Sequence, residues 1–149
     1  TGTDVQMTGP HGFFVLDNEH PGDIVFGATG TGVAAIMPML AELAEREPQE
    51  RRHLHLGSRH EGDLFALDEI ETLCAEAGTE LFIHLTAPPP AWKGGRGRIT
   101  QPLLESLSEL REPTFYLVGN GAMITEVKKE LVARGVDRKK QIRTEAFFD

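Results

Sequence analysis

The chain has one cysteine, one tryptophan and one tyrosine in 149 residues. Cys74 alone forms no intrachain disulfide and no multi-cysteine metal site, which fits a reducing cytosol and sets a cytoplasmic location as the expectation. Positive charge is also scarce. Fifteen Lys and Arg stand against 23 Asp and Glu, a net charge of -8, so nucleic acid is excluded as a main partner. No apolar run approaches the roughly 20 residues that a membrane-crossing helix requires. The first residue is Thr1 instead of Met, which sets the expectation of a processed or excised piece.

What is present is an alternation. From Asp23 onward, short β-branched or apolar runs take turns with longer segments of helical period. DIVFGATG ends in glycines and leads into Val33, Ile36, Leu40 and Leu43 at steps of three and four, closed by Pro48. HLHLGSR then reads as a strand with Leu54 and Leu56 on one face. A helix from about Asp63 carries Leu64, Leu67, Ile70 and Leu73, and Gly78 stops it. ELFIHL is a third strand, followed by APPPAWKGGRG, where Pro and Gly oppose regular structure. A helix over 99–110, the strand TFYLVGN, a helix with Ile124, Val127 and Leu131, and the strand QIRTEAFF complete the order.

Strand and helix repeated this regularly predict an α/β fold: a doubly wound, five-stranded parallel sheet with helices on both faces. The expected strand order is 3-2-1-4-5. Residues before Asp23 do not fit. TDVQMTG alternates like an antiparallel strand and GPHGFFVL is a second short apolar run. Residues 1–17 are therefore read as the end of a preceding β domain and 18–149 as the α/β domain. An N-terminal edge hairpin on the same sheet is the other reading.

In an open parallel sheet, ligands bind outside the C-terminal strand ends where the strand order reverses. Those ends are GATGTG (27–32) and VGNGAM (118–123), each a glycine-rich turn running into a helix. Such turns let the backbone approach a ligand, and the helix N-terminus offers unpaired N–H groups to a phosphate. Two of them side by side point to a phosphate-bearing nucleotide. The spacing is neither GxGxxG nor a P-loop.

The same segments resemble the ferredoxin–NADP reductase superfamily. GATGTGVAAIMPML is similar to its pyrophosphate and nicotinamide loop, VGNGAMITEVKKELVARGV to its second nicotinamide loop, and TEAFF to its C-terminal strand. GPHGFF resembles the turn closing the family's flavin barrel, HLHLGSRHEGDLFALDEI the segment receiving adenosine, and TAPPPAWKGGRGRIT the Pro–Trp–Gly stretch. The resemblance implies a C-terminal NAD(P)-binding domain that passes hydride from NAD(P)H to FAD, held by an upstream flavin domain, with electrons going on to a ferredoxin or another redox protein. It implies that the isolated piece holds no FAD and is inactive.

By the same resemblance Thr29, Gly30, Thr31 and Gly32 line the pyrophosphate and nicotinamide, and Gly119, Asn120 and Met123 face them. Thr31 and Glu145 are the catalytic candidates, and Glu145, Phe147 and Phe148 border the flavin side. Ala35 stands where relatives usually carry Pro, and Val118 where they commonly carry Cys. A nucleotide-binding sensor or interaction module without turnover is the competing class.

For the adenosine ribose, an acid suits a free 2′-OH and an Arg a 2′-phosphate. Ser58 and Arg59 occupy that point, with Arg98 and Arg96 approaching from the next strand, so NADP(H) is favoured; Glu61 and Asp63 keep NAD(H) open. No metal site is expected. His53, His55 and His84 read as strand histidines, and the first two share a face without a third ligand. Trp92 reads as a core-edge cover. Ser58 lacks a His/Asp relay. Arg138, Lys139, Lys140 and Arg143 read as a solvated helix end.

Overall fold

The structure, a computed structural model, describes residues 2, 4, 6, 8, 12–17 and 22–148, the last by its backbone only. The expected strand over 3–9 and the side chain of Phe148 lie largely or wholly outside the described residues.

Six strands are present: β1 (Ile24–Thr29), β2 (Arg52–Ser58), β3 (Thr79–Leu85), β4 (Gly95–Arg96), β5 (Thr114–Asn120) and β6 (Ile142–Phe148). All pairings are parallel, in the order β4-β3-β2-β1-β5-β6. The expected order of five strands is recovered, and the count is corrected to six. The extra edge strand lies inside APPPAWKGGRG. Gly95 and Arg96 contain no proline, so their backbone groups pair with His84 and Leu85, and the Gly97 N–H donates to the Leu85 carbonyl at 2.8 Å.

Both faces of this sheet are covered, which is why the central strands are apolar runs. On one face, Phe26, Ala28, Leu54, Leu56, Tyr116 and Val118 pack against α1 (Met37–Ala44) and α2 (Leu67–Glu76). On the other, Val25, Phe115, Leu117 and Ile142 pack against α3 (Thr100–Glu105) and α4 (Gly121–Ala133). Arg52 is buried at the start of β2, where it pairs with Glu50 and donates to the carbonyls of Leu43 and Ala77.

Three helical readings are refined. The first helix begins with a 3-10 turn (Gly30–Ala35), because the glycine loop tightens before the α-helical period starts. The second begins at Leu67, not near Asp63. The Asp63 carboxylate instead accepts the His60 N–H at 3.1 Å and closes a separate 3-10 turn (Glu61–Asp63). Leu64 is then extended but still packs on the core. The reading over 99–110 resolves into α3 and a 3-10 turn (Ser106–Glu109).

The basic cluster is not a helix end. α4 stops at Ala133, and the Asp137 carboxylate accepts the backbone N–H groups of Lys139 and Lys140 in the turn beyond it. Arg143 lies on β6 and pairs with Asp17.

The strand histidines are more buried than alternation implied. His53 and His55 face away from Leu54 and Leu56, onto β3, where His55 stacks on Phe82 at 4.9 Å and lies 6.2 Å from the His84 ring. Neither ring nitrogen of His55 has a hydrogen-bond partner. Among the described residues no group of three or more His, Cys, Asp or Glu side chains is placed to hold a metal ion.

Candidate nucleotide-binding site

The sheet's polarity sends the C-terminal ends of β1, β2, β3 and β5 to one edge, and a cleft of about 670 Å³ opens there. That is a ligand-sized volume. Its wall is built mainly from five strand-end segments: Thr29, Gly30 and Thr31 at the end of β1, Gly57, Ser58 and Arg59 at the end of β2, Thr86 after β3, Gly97 and Arg98 after β4, and Asn120, Ala122 and Met123 at the end of β5. A smaller cleft adjoins it, lined by Thr29, Gly30, Thr31, Gly32, Gly119, Asn120 and Phe147. Four residues belong to both, so the two clefts form one continuous trough over the β1 and β5 ends.

The two glycine turns are tied to each other. The Asn120 N–H donates to the Thr29 hydroxyl at 2.9 Å, and the Asn120 side chain accepts the Met123 N–H at 3.0 Å, capping α4. Gly119 sits at φ +116°, and a Cβ there would fall 2.3 Å from the Thr29 hydroxyl. The close approach of β5 to the β1 loop therefore requires glycine. Gly30 is different. Its φ is +55°, and a Cβ would meet nothing within 4 Å because it would project into open trough.

That geometry makes a prediction. Gly30→Ala should cost about 1 kcal/mol of stability through the left-handed backbone and should also block a ligand lying over the loop. A β-branched residue would add strain, so Gly30→Val would lower the melting temperature as well as binding. Calorimetric titration with a nicotinamide dinucleotide, beside a melting curve, checks this; full affinity in Gly30→Ala removes the loop from the site.

The structure brings Thr29, Gly30, Thr31, Gly32, Ser58, Arg59, Arg98, Gly119, Asn120, Met123 and Phe147 to the trough wall. Glu145 is not there: it is exposed on β6 and lines neither cleft. Arg96 is also displaced from the role considered for it. Its guanidinium donates to the carbonyls of Pro89, Pro90 and Trp92, and so bonds its own loop. The Trp92 indole N–H closes the same loop on the Gly95 carbonyl at 2.9 Å. Val118 has no exposed surface and belongs to the core.

Charge in the trough is mixed. Arg98 lies 3.6 Å from Glu126 of α4, both well exposed. Asp63 lines the large cleft, with its Oδ2 already shared by the backbone and ring of His60, and these hydrogen bonds hold its carboxyl below the usual range. Glu61 does not line either cleft. Residues the sequence did not single out are Gly57, Thr86, Gly97, Ile99 and Ala122. Thr86, the residue after a strand's C-terminal end, was open to the same positional rule that found Ser58.

Comparison with known proteins bears on the family and the fold. Residues 26–129 match the family model described as oxidoreductase NAD-binding domain. The chain is 34% identical over 142 residues to the xylene/toluene monooxygenase electron transfer component of Pseudomonas putida, covering 93% of this chain and 40% of that protein. It is 30% identical over 141 residues to ferredoxin–NADP reductase B of Sorangium cellulosum, covering 90% and 57%. A solved cytochrome P450 reductase from Amycolatopsis superposes with a TM-score of 0.80 at 27% identity, over 95% of this chain and 43% of that one. The chain thus spans about half the length of the relatives it matches. Parallel strand order, paired glycine turns and these matches coincide on one assignment: the chain belongs to the oxidoreductase NAD-binding domain family.

Proposed function

We propose that this domain binds NAD(P)H along the trough and presents its nicotinamide to a flavin carried by an upstream domain. Hydride would pass from the nicotinamide to FAD, and electrons onward to a ferredoxin or similar redox protein. The observation that carries the reading is the continuity of the two clefts over the Thr29–Asn120 contact. A dinucleotide is an elongated ligand with an anionic middle, and the residues the two clefts share, Thr29, Gly30, Thr31 and Asn120, bring a glycine turn and the N-cap of α4 together where they join.

The residues fit that ligand in order. Ser58, Arg59 and Arg98 would receive the adenosine ribose at the β2 side. Thr29, Gly30 and the start of α4, with Met123 in its first turn, would hold the pyrophosphate, since Gly30 leaves the space a side chain would fill. Thr31, Gly32, Gly119, Asn120 and Phe147 would surround the nicotinamide. The protein's task is then alignment and exclusion of water, because the flavin supplies the redox chemistry. Thr31 is exposed at the nicotinamide end, where its hydroxyl can orient a carboxamide. Phe147 closes the other side of the small cleft. Glu145, outside both clefts, stands on β6 two residues before Phe147, at the proposed flavin border.

Residues 1–17 are proposed as the end of the flavin domain and 18–149 as the nucleotide domain. A segment of that length makes no pocket for an isoalloxazine ring. The 149-residue chain should therefore purify colourless and show no NAD(P)H oxidation with ferricyanide. Stoichiometric flavin absorbance would overturn the division. Titration of the same chain with NADPH and NADH tests the binding itself: one saturable site is expected, and no heat with either nucleotide would sink the reading. The location is proposed as cytoplasmic; among the described residues no helix is long and apolar enough to cross a membrane.

A further inference from the structure

Residues 12–17, which carry no regular secondary structure, pass over β5 and β6 as a strap, and exposure alternates from Phe13 to Leu16. Phe14 meets Tyr116 edge-on at 6.0 Å and Leu16 enters the core, while Phe13 and Val15 are 97% and 62% exposed. The strap ends in three bonded residues. The Asp17 N–H donates to the Tyr116 hydroxyl at 2.8 Å, and the Arg143 guanidinium donates to the Asp17 carboxylate. Arg143 also donates to the carbonyls of Lys139 and Lys140, so it is itself held from the turn before β6. Tyr116 and Arg143 are register partners on neighbouring strands.

A surface tether for a passing chain needs none of this. Tyr116 is 1% exposed, and its hydroxyl is the one polar group in a row of apolar contacts with Phe26 and Phe14. A buried hydroxyl accepting a backbone N–H at a fixed point sets position, because losing it strands a polar group in the core. β6, which Arg143 begins to anchor, runs on to Phe147 in the small cleft four residues later. The same strand therefore holds the strap at one end and the proposed nicotinamide wall at the other.

We propose that Asp17, Tyr116 and Arg143 form a latch that fixes the upstream domain against this one, making them positioning residues for hydride transfer. The inference rests on the flavin-reductase reading above. Phe13 and Val15, 97% and 62% exposed, form the apolar outer face of the strap that the upstream domain would cover. Displacement of a reacting partner by about 1 Å costs up to a hundredfold in rate, so a loosened strap would act on transfer without touching nucleotide contacts.

The test uses the protein joined to its flavin domain, with Arg143→Gln, Tyr116→Phe and the conservative Arg143→Lys. Flavin reduction at saturating nucleotide should slow about ten- to a hundredfold in Arg143→Gln. Nucleotide Kd should stay within about twofold, since none of the three residues lines the trough. Amide exchange over residues 12–17 should accelerate in Arg143→Gln and Tyr116→Phe. Arg143→Lys, which keeps the charge, should recover most of the rate and protection. Faster exchange with an unchanged rate would overturn the proposal, as would unchanged exchange or an equal loss of nucleotide affinity. Absence of nucleotide binding in the wild type would instead sink the functional reading, while the exchange result still judges the latch.

Discussion

Lowering the pH from about 7.5 to about 4.5 is expected to remove roughly 3 kcal/mol of folding stability through His55 alone. Burial drives its pKa down from 6.5 to about 3, with further depression from the neighbouring His84 and His53. The ring is 2% exposed and neither nitrogen has a hydrogen-bond partner, so the neutral form is held in an apolar stack with Phe82. The sign follows from that depression. In the unfolded chain His55 takes a proton near pH 6.5, and in the folded chain only near pH 3. Its stabilising share is complete above 6.5 and is lost progressively as the pH falls toward 3, at about 1.4 kcal/mol per pH unit. Burial lowers the His84 pKa too, in the same sense. His55→Phe keeps a flat ring against Phe82 and has nothing to protonate. Denaturant midpoints measured for both proteins across this pH range should diverge below pH 6, the variant losing less. Parallel curves would show that His55 is not the group responsible.

That histidine stack also shows what the sequence could not disclose. Alternation in HLHLGSR marks Leu54 and Leu56 as one face, and the structure buries them as expected. His53 and His55 read as satisfied or half-buried strand histidines, but on the inner strand β2 they are 6% and 2% exposed, and neither ring nitrogen of His55 has a hydrogen-bond partner. The burial comes from Phe82 and His84, about 30 residues away, which no local period encodes. Arg143 is a parallel case: Lys139 and Lys140 lie four and three residues before it, which groups it with a basic cluster, but its partner is Asp17. Arg96 stands two positions from Arg98, and only the turn geometry decides that one faces its own loop and the other the trough.

The trough was far more legible. GATGTG and VGNGAM are local signals whose meaning depends on a general rule, that ligands gather at C-terminal strand ends beside the order reversal. β1 and β5 are adjacent, so both turns meet, and the residues named from them line the clefts. Glu145 came from the resemblance of TEAFF to a family strand and not from this rule; it is exposed on the edge strand β6.

The nucleotide itself is expected to be chosen by Arg59. It lines the large cleft next to Ser58, at the strand end where the ribose 2′ position should lie. The competing acids are poorly placed: Glu61 is outside the cleft, and Asp63 has its Oδ2 engaged by His60. Each arginine has an acidic neighbour, Glu126 at 3.6 Å for Arg98 and Asp63 for Arg59, so Arg59 is singled out by its place directly after Ser58 at the end of β2. NADPH should therefore bind more tightly than NADH. Arg59→Ala should weaken NADPH by one or two charge-assisted hydrogen bonds, about 1.5–3 kcal/mol or ten- to a hundredfold, while NADH moves little. The exposed site should also lose its preference as salt rises and screens the phosphate. Dissociation constants for both nucleotides, wild type and variant, at low and high salt test each step. Equal losses would place Arg59 on a part of the cofactor common to both, the adenine or ribose. Tighter NADH than NADPH in the wild type would reverse the assignment and make Asp63, released from His60, the partner of a free 2′-OH.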